Sequence, residues 1–371
     1  MQKHEIYNTI LRAKSTCTLW AFTLLFICIA ALRFYHCSQL PVNTGDITRH
    51  IYYGLYVEQK GLYAAGISLV ELDPHLKKIS WSSLPYNYPI VTLMFFTIVV
   101  KLSPTIFFAK FVLTLIEALN SLLIYKYSKQ RLLALIYWAS PISIWWVSHE
   151  GQFEPLQSAF VISALWMLPR RKPLAFILLA LAIQVKLLAV LLFPYFLLQA
   201  RREKLGNLTL PLTAFAIGCL PTVFTMFHYP VISQILSTGT TLKYNPYYWN
   251  IFNCSMFGWN SVSLIIIDQL SSYGILFFLI YCIFKLGDVK SFIASCGFIL
   301  FCKLANLCQF WYFNMLMPFL LPIQDKRLRL WLFAVTYFLD VRSLSQIFFG
   351  PFGNIVETYY PGLTSFLKLT I

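Results

Sequence analysis

Six short clusters of basic residues divide an otherwise apolar chain into segments long enough to cross a membrane, and few architectures accommodate that pattern. The clusters are Lys3/Arg12/Lys14, Lys126/Lys129/Arg131, Arg170/Arg171/Lys172, Arg201/Arg202/Lys204, Lys285/Lys290 and Lys326/Arg327/Arg329, more than half of the 29 Lys and Arg residues. Of the 371 residues, 58% are hydrophobic and 12% charged. That is far more apolar surface than a soluble core of this size can bury. In lipid every backbone polar group must be bonded internally, so the expected fold is an all-α polytopic membrane protein. The net charge of +15 invites a nucleic-acid partner, but basic clusters between apolar runs report topology, and none is expected.

With all six clusters on the cytoplasmic side, the chain crosses an even number of times between neighbouring clusters. A span needs roughly 20 apolar residues. Residues 17–36 then lead out and 104–125 lead back, leaving 37–103 as a long first extracytoplasmic loop. Within that loop, 89–100 is short for a span and is read as an interfacial helix. Residues 132–148 and 155–168 form the next pair, joined by the external turn His149-Glu150-Gly151-Gln152-Phe153-Glu154. Basic clusters flank both ends of 173–198, which two half-spans meeting at Gln184-Val185-Lys186 would satisfy. Lys186 then sits at the apex, where irregular backbone is tolerable beside a wet cavity. Spans at 208–228, 261–285, 291–306, 309–323 and 329–348, with an external loop at 229–260 and an external tail at 349–371, complete a bundle of about eleven transmembrane helices.

Nothing divides this bundle into parts, so residues 1–371 are expected to fold as one domain. The first span has no small-residue cleavage site after its apolar core and is expected to remain as an anchor. The nine cysteines form no Cys-x-x-Cys pair and lie mostly in apolar runs. Buried free thiols are expected, the alternative being a Cys37–Cys254 disulfide.

Six of the 14 acidic residues (Asp46, Glu58, Glu71, Asp73, Glu150 and Glu154) fall in the first two external segments. The reactive face is therefore expected to be extracytoplasmic. Glu58, Glu71 and Asp73 read as a solvated loop face. Asp46, in Thr44-Gly45-Asp46-Ile47-Thr48-Arg49-His50, is either a solvated charge or a reactive group, partly desolvated at the outer end of a span. Arg49 either assists Asp46 or pairs with it on one helical face. Lys186 at membrane depth needs a counter-ion, from a lipid phosphate or a protein carboxylate, unless it snorkels to the interface. Gln152 and Glu154, two apart, would point to different faces of a helix, so one of the two is expected to reach the cavity. Tyr86, Tyr88, Trp145 and Trp146 suit an interfacial girdle or stacking on sugar faces.

Several stretches in register resemble the membrane-embedded glycosyltransferases of the GT-C superfamily. They are Gly45-Asp46-Ile47 after the first span, Tyr52-Tyr53-Gly54, Gly61-Leu62-Tyr63, Pro85-Tyr86-Asn87-Tyr88-Pro89-Ile90, Ser140-Pro141-Ile142-Ser143, Gly151-Gln152-Phe153-Glu154, and Val185-Lys186 before Pro194. The family's second loop proline is Ile90 here, and Glu154 stands where Asp is commoner. The likeness is tightest from residue 17 to about 200.

The resemblance implies transfer of a hexose from a polyprenyl-phosphate-linked donor to an acceptor hydroxyl of a glycan, glycolipid or protein, with inversion. Asp46 would be the general base; Lys186 and Arg49 would meet the donor phosphate; His149, Glu150, Gln152, Glu154 and Tyr88 would contact sugar or acceptor. No cofactor is required; a divalent metal, magnesium or manganese rather than zinc, suits the carboxylates of Asp46 and the turn. A bacterial inner membrane is the favoured setting, with the endoplasmic reticulum membrane as the other. The competing class is a transporter or flippase for a lipid-linked or anionic substrate, with Lys186, Lys303 and Asp268 along its path. A non-catalytic scaffold is a third reading.

Overall fold

The computed structural model describes residues 2–41, 44–79, 81–202, 208–227 and 313–323, with a few further residues between 325 and 334. Expectations for Asp268, Lys303, the 229–260 loop, the 261–285 and 291–306 spans, nearly all of 329–348 and the 349–371 tail lie outside the described residues, as does Cys254. Among the described residues the architecture is all-α: α1 (Gln2–Ser38), α2 (Thr44–Lys60), α3 (Leu69–Leu72), α4 (Ile90–Leu102), α5 (Ile106–Ser128), α6 (Arg131–Trp138), α7 (Pro141–Ser143), α8 (Glu154–Met167), α9 (Lys172–Ile183), α10 (Phe193–Arg202), α11 (Thr209–Thr225) and α12 (Phe313–Leu320). Among the described residues two stretches are long and apolar enough to cross a membrane, Trp20–Ser38 within α1 and Ile106–Ser128, which is α5. Their outward faces carry large apolar side chains, among them Trp20, Leu24, Ile27 and Phe34 on α1 and Leu115, Leu119 and Leu122 on α5. Helices α4, α9 and α11 are apolar but shorter.

Local chemistry sets most of the boundaries. Thr105 caps α5, accepting from the Phe108 amide at 3.2 Å, and Lys129 closes it in the left-handed conformation. In the first loop, Ser68 and Glu71 form a capping box at α3, and the hydrogen bonds from Ser68 hold the Glu71 carboxyl below its ordinary range. Asp73 then caps the turn that begins at Pro74. Pro141, Pro155 and Pro173 each sit in a first helical turn, where a missing N–H leaves no bond unmade.

The segment expected as the span 132–148 is interrupted. Residues 132–148 are not one continuous helix: α6 stops at Trp138, Ser140 caps a new start at Pro141, and a π-helical turn, Ile144–His149, follows. Arg33 of α1 stitches this break. Its guanidinium donates to the Trp138 carbonyl at 3.0 and 2.8 Å, to Ser143 at 2.9 Å and to Ser148 at 3.1 Å, and lies 4.3 Å from the Trp138 ring centroid. A break in a helix frees carbonyls that lipid cannot satisfy, and a buried arginine supplies the donors.

The helix break expected near Gln184-Val185-Lys186 is present. Helix α9 ends at Ile183, Lys186 is extended, and a 3₁₀ turn, Leu187–Leu192, leads into α10. Helix α9 packs on α8 and α11, α2 on α4, and α5 on α8. Gly54 is required at the α2–α4 crossing, since a Cβ there would lie 2.8 Å from the Phe96 carbonyl oxygen. Cys37 is a buried free thiol, and Cys28 and Cys219 are also unbridged.

Candidate functional site

Four residues from separate elements meet near the start of α2. The Gln152 amide donates to Asp46 Oδ2 at 3.1 Å. Beside them Lys186 and Glu154 form a buried ion pair, with Glu154 fully buried and Lys186 9% exposed. Asp46 acts electrostatically on both partners. The Lys186 ammonium also lies 4.9 Å from the Phe153 ring centroid, a cation–π distance. Glu154 is a protein counter-ion to Lys186, which lowers the cost of holding an ammonium in apolar surroundings.

The hairpin break that carries Lys186 is held by side chains on three sides. Gln157 donates to the Lys186 carbonyl at 2.8 Å and Thr92 of α4 to the Val185 carbonyl at 3.0 Å. Gln157 stands one turn beyond Glu154 on α8, so one helical face grips Lys186 by both its ammonium and its backbone. Gln184 reaches across to α11. Neither Thr92 nor Gln157 belongs to a motif of the sequence; the helical spacing from Glu154 is the one signal that points to Gln157.

Gln152 and Glu154 both reach the cluster, which corrects the expectation that one of them would. They do not share a helix: Gly151 has φ +82°, Phe153 is the cap, and α8 begins only at Glu154. A Cβ on Gly151 would meet Ile47 Cδ1 at 2.1 Å, so glycine lets the turn pass close to α2 next to Asp46.

The same turn sends His149 and Glu150 elsewhere. His149 stacks on Trp145 at 4.1 Å between ring centroids, faces His36 at 5.6 Å and lies 3.7 Å from Glu150. Lys110 is close by, donating to the His36 and Gln39 carbonyls at the end of α1 at 3.2 and 2.6 Å. Burial, then the positive Lys110 and the neighbouring His36, push His149 down to about 3. Arg33, Lys110 and Glu117 are fully buried. None of the three is among the expected site residues, although charges inside runs read as spans signal internal polar partners.

Arg49 does not face Asp46. It donates to Asn87 Oδ1 at 2.9 Å and to the Leu84 and Pro85 carbonyls at 3.2 and 2.7 Å, with Tyr53 5.5 Å below its guanidinium. It pins the loop ahead of α4. Tyr88 stands 5.0 Å from both His50 and Phe153, on the edge of an aromatic cage around His50. Within that cage His50 stacks on Phe96 at 4.7 Å, with Nδ1 3.0 Å from the Tyr86 hydroxyl.

Burial first, then Arg49 and Lys186, push His50 well below its ordinary 6.5. The folded protein therefore keeps His50 neutral while the unfolded chain takes up a proton near pH 6.5, so stability held above that pH is lost as pH falls beneath it. His149 adds to the loss with the same sign. The apparent unfolding temperature of the detergent-solubilised protein should drop between pH 7.5 and 5, and His50→Phe, which keeps the ring stack, should shallow that dependence. An unchanged slope in the variant contradicts the assignment.

Among the described residues no group of three or more His, Cys, Asp or Glu is arranged to hold a metal ion. Comparison with known protein families, with curated proteins and with solved structures finds no match to this chain.

Proposed function

We propose that the chain is an integral-membrane glycosyltransferase of the GT-C type, a single domain of about eleven transmembrane helices. It moves a hexose from a polyprenyl-phosphate-linked donor to an acceptor hydroxyl on the extracytoplasmic face, with inversion. The observation that supports this most is the meeting of Asp46, Gln152, Glu154 and Lys186 in one polar cluster between helices with apolar outer faces. A half-buried carboxylate oriented by a neutral amide suits a general base. It draws the proton from the acceptor oxygen as that oxygen attacks the anomeric carbon, while the bond to the phosphate oxygen breaks and the lipid phosphate leaves with the electron pair. Lys186 meets the charge developing on that phosphate. His149 and Glu150, on the far side of Gly151, serve as acceptor contacts, and Tyr88 as a flat face for sugar. Arg49 acts by holding the loop rather than by touching the donor.

Glu154 competes with the donor phosphate for Lys186. Glu154→Gln should therefore tighten donor binding several-fold, and no change would remove Lys186 from the donor site. The function itself is tested by giving the purified chain a radiolabelled polyprenyl-phosphate hexose with glycan, glycolipid and peptide acceptors. Label should move to one acceptor class. Label retained on the donor lipid with every acceptor contradicts the proposal.

A further inference from the structure

Helix α11 is gripped from outside at one rung. Its Pro221 offers no N–H, and Gly218 lets α9 approach so closely that a Cβ would lie 2.7 Å from that of Ala180. Into this place the Gln184 carboxamide inserts. Its Nε2 donates to the Gly218 carbonyl and, at 3.2 Å, to the Ala180 carbonyl of α9. Its Oε1 accepts from the Thr222 amide at 3.0 Å and the Thr222 hydroxyl at 2.8 Å. Gly218 and Thr222 are four apart, so a regular helix would join that carbonyl and that amide to each other. Here one buried side chain, 3% exposed, bonds both. It stands two residues before Lys186, at the C-cap of α9.

We infer that Gln184 is a positioning residue for Lys186, clamping the hairpin break to α11 so that the ammonium is held where Glu154 and a donor phosphate can both reach it. The catalytic significance of the clamp rests on the transferase proposal above; its mechanical part does not. Thr92 and Gln157 fix the carbonyls of Val185 and Lys186 from the other side, and with Gln184 they leave the break little freedom to slide. An apolar side chain of similar volume removes the bonds without opening a large void.

The test uses the full chain in nanodiscs and compares Gln184→Leu, the milder Thr222→Val and the double variant. In Gln184→Leu, backbone amides of 186–192 and of 222–225 should lose hydrogen-exchange protection together, and the KM for donor should rise about tenfold with acceptor KM unchanged. The double variant should be no worse than Gln184→Leu alone, because both changes cut one link. Unchanged protection at 186–192 overturns the clamp. A fall in kcat that only follows the amount of folded protein, at constant donor KM, overturns the positioning role. If wild-type protein transfers no sugar, the function proposal fails, and the exchange measurement still decides the clamp.

Discussion

Lys186→Met should destabilise the protein by about 3–5 kcal/mol, because it leaves Glu154 as an uncompensated charge at a fully buried position. The loss should appear as a lower apparent unfolding temperature in detergent, and the cation–π interaction with Phe153 disappears with the ammonium. Adding Glu154→Gln removes the orphaned charge, and the double variant should recover most of the stability. Donor binding should stay weak in both, since neither has the ammonium. This separates the two tasks of Lys186, one in folding and one at the phosphate. If the double variant recovers donor affinity along with stability, Lys186 contributes to the fold alone.

Much of the scaffold around Lys186 is legible in the amino-acid sequence, for a specific reason. Basic clusters at both ends of 173–198 cannot be reconciled with a single crossing, so a break at Gln184-Val185-Lys186 follows from charge placement alone. The counter-ion of Lys186 is not legible in the same way. Choosing between a lipid phosphate and Glu154 depends on how α8 sits beside the break, which is a matter of packing. Averaging hydropathy over 132–148 hides the interruption at Ser140-Pro141, although cap and proline both stand in the sequence. The expectation for Gln152 and Glu154 fails because it assumes that the two share a helix, whereas Gln152 lies in the turn after Gly151 and α8 begins only at Glu154, beyond the Phe153 cap. Arg49 has two local roles open to it in the sequence and takes a third, with partners about 35 residues away that no i, i+3 or i, i+4 rule could supply.

Asp46→Asn should lower sugar transfer by roughly 10²–10⁴-fold, the usual value of a positioned general base. The substitution keeps size and a hydrogen-bonding oxygen for Gln152, so the cluster should persist and donor binding should be retained. The ion pair of Lys186 with Glu154 is untouched, and unfolding temperature should move little. The loss would then lie in kcat, the signature of an interaction made only as the proton moves.

The most direct test places wild type and Asp46→Asn side by side, measuring transfer of label from polyprenyl-phosphate hexose and donor affinity on the same reconstituted preparations. Transfer by wild type, with the variant binding donor equally well and transferring at most about a hundredth as fast, is the expected result. Transfer by the variant at the wild-type rate, or transbilayer movement of intact donor by wild type with no transfer, would contradict it.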